Sequence, residues 1–206
     1  MKKAMWILGI IATVCIVSAV AMLGFMKYTS EPRANLQSLI DTEIQNTEKY
    51  TSSSLNNYEN EIKNANAILS NPFASKEKLV AAKKDLQNSI DSLTIATKGV
   101  YQFSVSFTEL SNNSVGKEWS KALYYNGMNI QTGSTLTKNL NEKISLNATI
   151  KENDKIADIG TGRIKLTLSD GASASSIITV IENAGRYTGN SAKWKVEVSV
   201  SLIERR

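Results

Sequence analysis

Side chains able to do chemistry gather at two places in this chain. Glu152, Asp154 and Asp158 fall within seven residues of one another, with Asp170 further on. Carboxylates grouped on a loop supply the hard oxygen ligands that calcium takes, which makes Glu152, Asp154 and Asp158 a candidate metal site. Lys151 and Lys155 are interleaved with them, and the alternative is a solvated acidic turn. The second place is the run Glu182–Asn190, where Arg186 and Tyr187 stand between Gly185 and Gly189, with Asn183 and Asn190 near the ends. A guanidinium offers a two-pronged fork to carboxylate, sulfate or phosphate, and a phenol ring offers a stacking face. Arg186, Tyr187, Asn183 and Asn190 therefore form a candidate ligand-binding loop. The alternative is a long turn in which both glycines supply positive φ and Tyr187 packs down on the body of the domain.

Other chemistries are excluded by what the chain lacks. It has no histidine, which removes the Ser-His and Cys-His nucleophile systems and every histidine-containing metal site. No glycine-rich phosphate loop occurs, and the Ser52–Ser54 and Ser175–Ser176 runs read as cap and turn chemistry. Neither an enzyme nor a cofactor is expected. The net charge of +5 falls to 22 basic against 19 acidic residues once Lys2 and Lys3 are set aside, too weak and scattered a balance to point to nucleic acid.

The elements that must hold the two loops have a period of two. Tyr101, Phe103, Val105 and Phe107 alternate with polar residues, and Trp194, Val196, Val198, Val200 and Leu202 do the same. Between them, Trp119–Tyr125 leads into Asn126-Gly127, a strong hairpin signal because both residues tolerate positive φ. A return strand over 128–131, a turn at Gly133 and further strands at 135–137, 144–150, 163–168 and 177–181 complete the set. Seven or eight short strands within residues 99–206 predict an antiparallel β-sandwich of immunoglobulin-like or C2-like type. The run Glu182-Asn183-x-Gly185-Arg186-Tyr187-x-Gly189-Asn190-x-Ala192-x-Trp194 is similar to one in uncharacterised exported proteins of Firmicutes, and that likeness implies no function.

Ahead of the junction Thr94–Gly99 the period is 3.6. Ser30-Glu31-Pro32 offers an N-cap, a first-turn acid and a tolerated proline, and the first helix then presents Leu36, Leu39, Ile40, Ile44 and Thr47. Tyr50–Ser54 breaks the pattern and caps a second helix carrying Leu55, Tyr58, Ile62, Ala65 and Leu69, which Asn71-Pro72 stops. Ser75 caps a third, carrying Leu79, Ala82, Leu86, Ile90 and Leu93. Three amphipathic helices with short links predict an up-down-up bundle over 30–95. The order Leu36-x-x-Leu39-Ile40, Tyr50-Thr51, Tyr58, Ile62-x-x-Ala65, Ile68-Leu69-x-Asn71, Ala74-Ser75 and Leu86-x-x-x-Ile90-x-x-Leu93 resembles the FIVAR module of Gram-positive surface proteins. The resemblance covers residues 34–95 and implies a cell-surface setting with wall or carbohydrate binding. The tryptophan that the family often carries early in its second helix is replaced here by Leu55-Asn56-Asn57-Tyr58, so no sugar-stacking aromatic is carried over.

The stretch Ala4–Met26 is uncharged over 23 residues, which as a helix extends about 35 Å and crosses a hydrocarbon core of ~30 Å. Lys2 and Lys3 immediately before it hold residues 1–3 in the cytoplasm under the positive-inside rule and send the remainder across. A cleaved signal peptide is the competing reading, with Ala19-Val20-Ala21 as the cleavage pattern and a secreted product beginning at Met22. The only cysteine, Cys15, lies in the stretch, so no disulfide forms outside it. The chain is thus expected to be an α+β multidomain protein of the cell membrane, with a single transmembrane helix at 4–26, a three-helix bundle and a β-sandwich, the last two extracellular. Its expected role is binding, with cell-wall glycan or another surface protein as partner, and calcium-dependent binding as a further possibility.

Overall fold

The computed structural model describes residues 22, 24, 25, 27–42, 44–154 and 156–206. Most of the expected span at 4–26, with Cys15 and the lysine pair, lies outside the described residues, as does Lys155. No helix among the described residues is long and apolar enough to cross a membrane. The chain divides into two compact units, with the division between Ile95 and Ala96.

Among its described residues the first unit holds three α-helices: α1 over 27–40, α2 at Ser52–Ser70 and α3 at Lys76–Asp91. Thr51 and Ser75 cap α2 and α3 as their hydroxyl chemistry predicts, each accepting a backbone N–H at 3.3 Å, from Ser54 and Lys78 respectively. The start of α1 differs from expectation. Phe25 and 27–29 are already helical, so Ser30 is no N-cap and Pro32 stands inside the helix. Thr29 and Ser30 turn their hydroxyls backward instead, donating to the carbonyls of Phe25 at 3.0 Å and Lys27 at 2.9 Å. The helix also ends earlier than its apolar spacing suggests. Asn46 adopts the left-handed region at φ 55° and a 3-10 turn follows at Thr47–Lys49, yet Ile44 still packs against the core. Leu36, Leu79 and Leu86 are wholly buried at the centre of that core.

The second unit is two antiparallel four-stranded sheets. One has the order β4-β1-β8-β7 and the other β3-β2-β5-β6. The strands are β1 Lys98–Asn112, β2 Trp119–Tyr125, β3 Met128–Asn129, β4 Thr135–Asn139, β5 Lys143–Glu152, β6 Ile159–Thr167, β7 Ser173–Ile181 and β8 Ser191–Arg205. Asn126 and Gly127 join β2 to β3 at φ 49° and 83°, the mirror-image turn that their types favour. The alternating faces of both sheets close on one core, with Phe103, Val196 and Ile178 from the first sheet against Leu123, Leu146 and Ile164 from the second. β6 and β7 come together where the two sheets meet. A Cβ on Gly160 would lie 2.6 Å from the Thr179 carbonyl oxygen, so only glycine permits that approach.

Candidate functional site

Alternation carries two acids onto the core face of the sandwich. Along β5 the buried positions are Ile144, Leu146, Ala148, Ile150 and then Glu152, and along β7 Ile178 and Val180 are followed by Glu182 just past the strand. Both carboxylates therefore face inward at the same end of the sandwich, where the connections 113–118, 153–158 and 183–190 meet. The backbone of this end is tied down. Glu152 N–H donates to the Asp158 carbonyl at 2.9 Å, Asn153 N–H to the Glu118 carbonyl at 2.6 Å, and Glu182 N–H to the Asn190 carbonyl at 2.9 Å. Asn112 secures the first connection by accepting from Val115 N–H at 3.0 Å and donating to the Gly116 carbonyl at 2.8 Å.

These loops surround a cavity of about 790 Å³. Among the described residues Glu109, Glu152, Asp154 and Glu182 supply its acids and Lys117 its cation, so it gathers four of the sandwich's ten carboxylates although residues 99–206 carry thirteen basic residues. Trp119 and Tyr187 add aromatic surface to the wall. Glu152 is only 3% exposed, and its Oε2 has no hydrogen-bond partner. Its carboxylate fills the space where a side chain on Gly116 would sit, which is why that position, at φ 131°, is glycine. Asp158 is fully buried. Its Oδ1 accepts from Asn183 N–H at 2.9 Å, while Oδ2 is unpartnered. Trp119 stacks at a tilt on Trp194, ring centroids 5.3 Å apart, and neither indole N–H has a partner.

Burial pushes the Glu152 carboxyl above its ordinary range, and the charges of Asp154, Asp158 and Glu182 push it further the same way. Glu182 is raised by burial and then by Asp158 and Asp154. Carboxylates this close and this dry hold protons more readily than exposed ones, or accept donors from a ligand.

The residues picked out in the sequence are distributed as follows. Glu152 and Asp154 line the cavity with Tyr187, and Asp158 lies buried behind it beside Glu182. Asp170 is elsewhere, in the β6–β7 turn, accepting from Leu202 N–H at 2.9 Å. Among the described residues no three acids are disposed to hold a metal ion. Asp154 is turned to local duty, its Oδ1 accepting from Ile156 N–H at 2.8 Å. In the 183–190 loop Gly185 and Gly189 do take positive φ, 87° and 92°, but Tyr187 does not pack down, remaining 49% exposed. The Arg186 guanidinium stacks on the Tyr187 ring at 5.8 Å. Asn190 Oδ1 accepts weakly from Asn113 Nδ2 at 3.4 Å. Glu109, Lys117, Trp119 and Glu182 were not foreseen as site residues. For Glu152 and Glu182 a signal existed, since an acid at the next inward step of an apolar alternation is out of place in a core.

Comparison of the chain with protein-family models, with curated proteins and with solved structures gives no match, so the site is read from its own geometry.

Proposed function

We propose that the chain is a membrane-anchored, extracytoplasmic binding protein whose ligand enters the cavity at the end of the sandwich. Ala4–Met26 serves as the anchor, the helical unit as a FIVAR-like spacer, and the sandwich, of immunoglobulin-like or C2-like type, as the binding module. The observation that carries this reading is the buried, unpartnered Glu152 Oε2 in an acid-lined cavity flanked by Trp119 and an exposed Tyr187. Such a surface suits a ligand that donates hydrogen bonds to carboxylates while laying a flat face on an aromatic ring, which describes the sugar units of a wall glycan. Amine-bearing sugars fit best, because among the described residues four carboxylates outweigh Lys117.

The test is retention of the detergent-solubilised full chain on purified Gram-positive cell wall. Tyr187→Ala and Glu152→Gln should each weaken binding about tenfold, the equivalent of about 1.4 kcal/mol, with unchanged far-ultraviolet circular dichroism. Loss of retention in Arg186→Ala with full retention in Glu152→Gln would move the site to the arginine and an anionic ligand. Capture of a membrane protein with no wall retention would replace the glycan reading with an assembly role.

A further inference from the structure

A second surface lies on the helical unit. Three large apolar side chains near the start of α1 and in the α2–α3 loop stand in water: Phe73 is 67% exposed, Tyr28 58% and Met22 51%. They border an apolar hollow of about 400 Å³ whose wall includes Met22, Phe25, Thr29, Pro72 and Phe73. Isolated exposed apolar residues need no explanation, but a cluster around a hollow marks a binding face.

Arg33 sets where that cluster stands. Its guanidinium donates to the carbonyls of Leu69 at 2.9 Å and Asn71 at 2.6 Å, capping the C-terminal end of α2 with a cation. This clamp holds the Asn71–Ala74 turn alongside the first turns of α1. Phe73 shares the hollow with Met22 and Phe25, so it hangs level with the last residues of the uncharged stretch. Cations flank the aromatics. Lys27 adjoins Tyr28 in sequence, and Lys76 Nζ lies 5.0 Å above the Tyr28 ring. The segments 27–33 and 76–78 together carry Lys27, Arg33, Lys76 and Lys78 against Glu31 and Glu77. Aromatic rings with adjacent lysines at the mouth of an apolar stretch are the chemistry of the membrane–water interface, where rings sit among headgroups and ammonium groups meet lipid phosphates.

We infer that the face formed by Met22, Tyr28, Pro72 and Phe73 docks onto the lipid surface, seating the α2–α3 loop in the interfacial layer and holding the helical unit upright on the bilayer. This rests on the reading of Ala4–Met26 as a membrane span. The occupant is lipid because the face is continuous in sequence with that stretch and carries the cations that anionic headgroups attract.

The experiment uses the full chain with Cys15→Ser, so that a nitroxide is placed at Phe73→Cys alone, or at Ser53→Cys in the exposed first turn of α2 as the control. Each protein is reconstituted in vesicles of phosphatidylcholine and phosphatidylglycerol and floated on a density gradient. The label at 73 should collide several-fold more with oxygen than with a water-soluble nickel chelate, relative to the label at 53. A chain that floats while its label at 73 is as accessible to nickel as the one at 53 overturns the docking and leaves the anchor standing. A chain that stays at the bottom of the gradient removes the anchor and the docking with it. Helical circular dichroism of both labelled chains, matched to the unlabelled one, excludes a collapsed bundle as the cause.

Discussion

Glu152 makes the sandwich more stable in mild acid than at neutral pH. Its carboxyl is raised in the folded state by burial and by neighbouring acids, as is that of Glu182, while both return to the ordinary value near 4.5 on unfolding. The folded state therefore holds protons more tightly than the unfolded one. The stabilisation this confers is complete below about pH 4.5 and is lost as pH rises through the folded-state values. Glu204 works the other way, because Arg206 lowers it, but its contribution disappears only below the ordinary carboxylate range. Between pH 5 and 7 the two raised acids decide the sign. A buried oxygen left without a partner costs about 1–3 kcal/mol, and the lower bound of about 1 kcal/mol is the effect expected here. For a domain of about a hundred residues that corresponds to roughly 4–8 °C in Tm. The perturbation is Glu152→Gln, which keeps shape and removes the charge. Thermal unfolding followed by tryptophan fluorescence should show the wild-type chain melting higher at pH 5 than at pH 7. Glu152→Gln should melt higher than wild type at pH 7 with a shallower slope, and Glu152→Gln with Glu182→Gln should be nearly flat. A wild-type Tm that rises from pH 5 to 7, or a slope the double variant leaves intact, refutes the reasoning. An equal gain at pH 7 from millimolar calcium alone would instead assign the orphan oxygens to a cation.

Two further outcomes are expected. Gly160→Val forces side-chain atoms into the Thr179 carbonyl and Ile178 where β6 meets β7, so urea unfolding should show a loss of about 1–3 kcal/mol, and a neutral result would mean the two edges separate freely. Fragment 99–206 should fold alone with an unchanged strand spectrum, since its core closes on itself within that unit; an unfolded fragment would make its stability dependent on the helical unit.

What the sequence determined by itself was local. Thr51 and Ser75 announce their helices through hydroxyl chemistry, Asn126-Gly127 its turn through tolerance of positive φ, and alternating apolar residues their strands, because each rule acts over a few neighbouring positions. The start of α1 escaped that logic, since Ser30 can cap forward or bond backward and only the helical residues ahead of it decide. The site was half legible. Glu152 and Glu182 each stand one step beyond an apolar alternation, which places an acid on the core face. Nothing within either strand says that the two ends meet, or that Glu109 and Trp119 join them while Asp170 is left at another turn. That follows from the sheet orders β4-β1-β8-β7 and β3-β2-β5-β6, a property of pairings between residues far apart in the chain. The cavity's acidity, its unpartnered oxygens and the exposure of Tyr187 arise from that packing, so only the tertiary structure decided them.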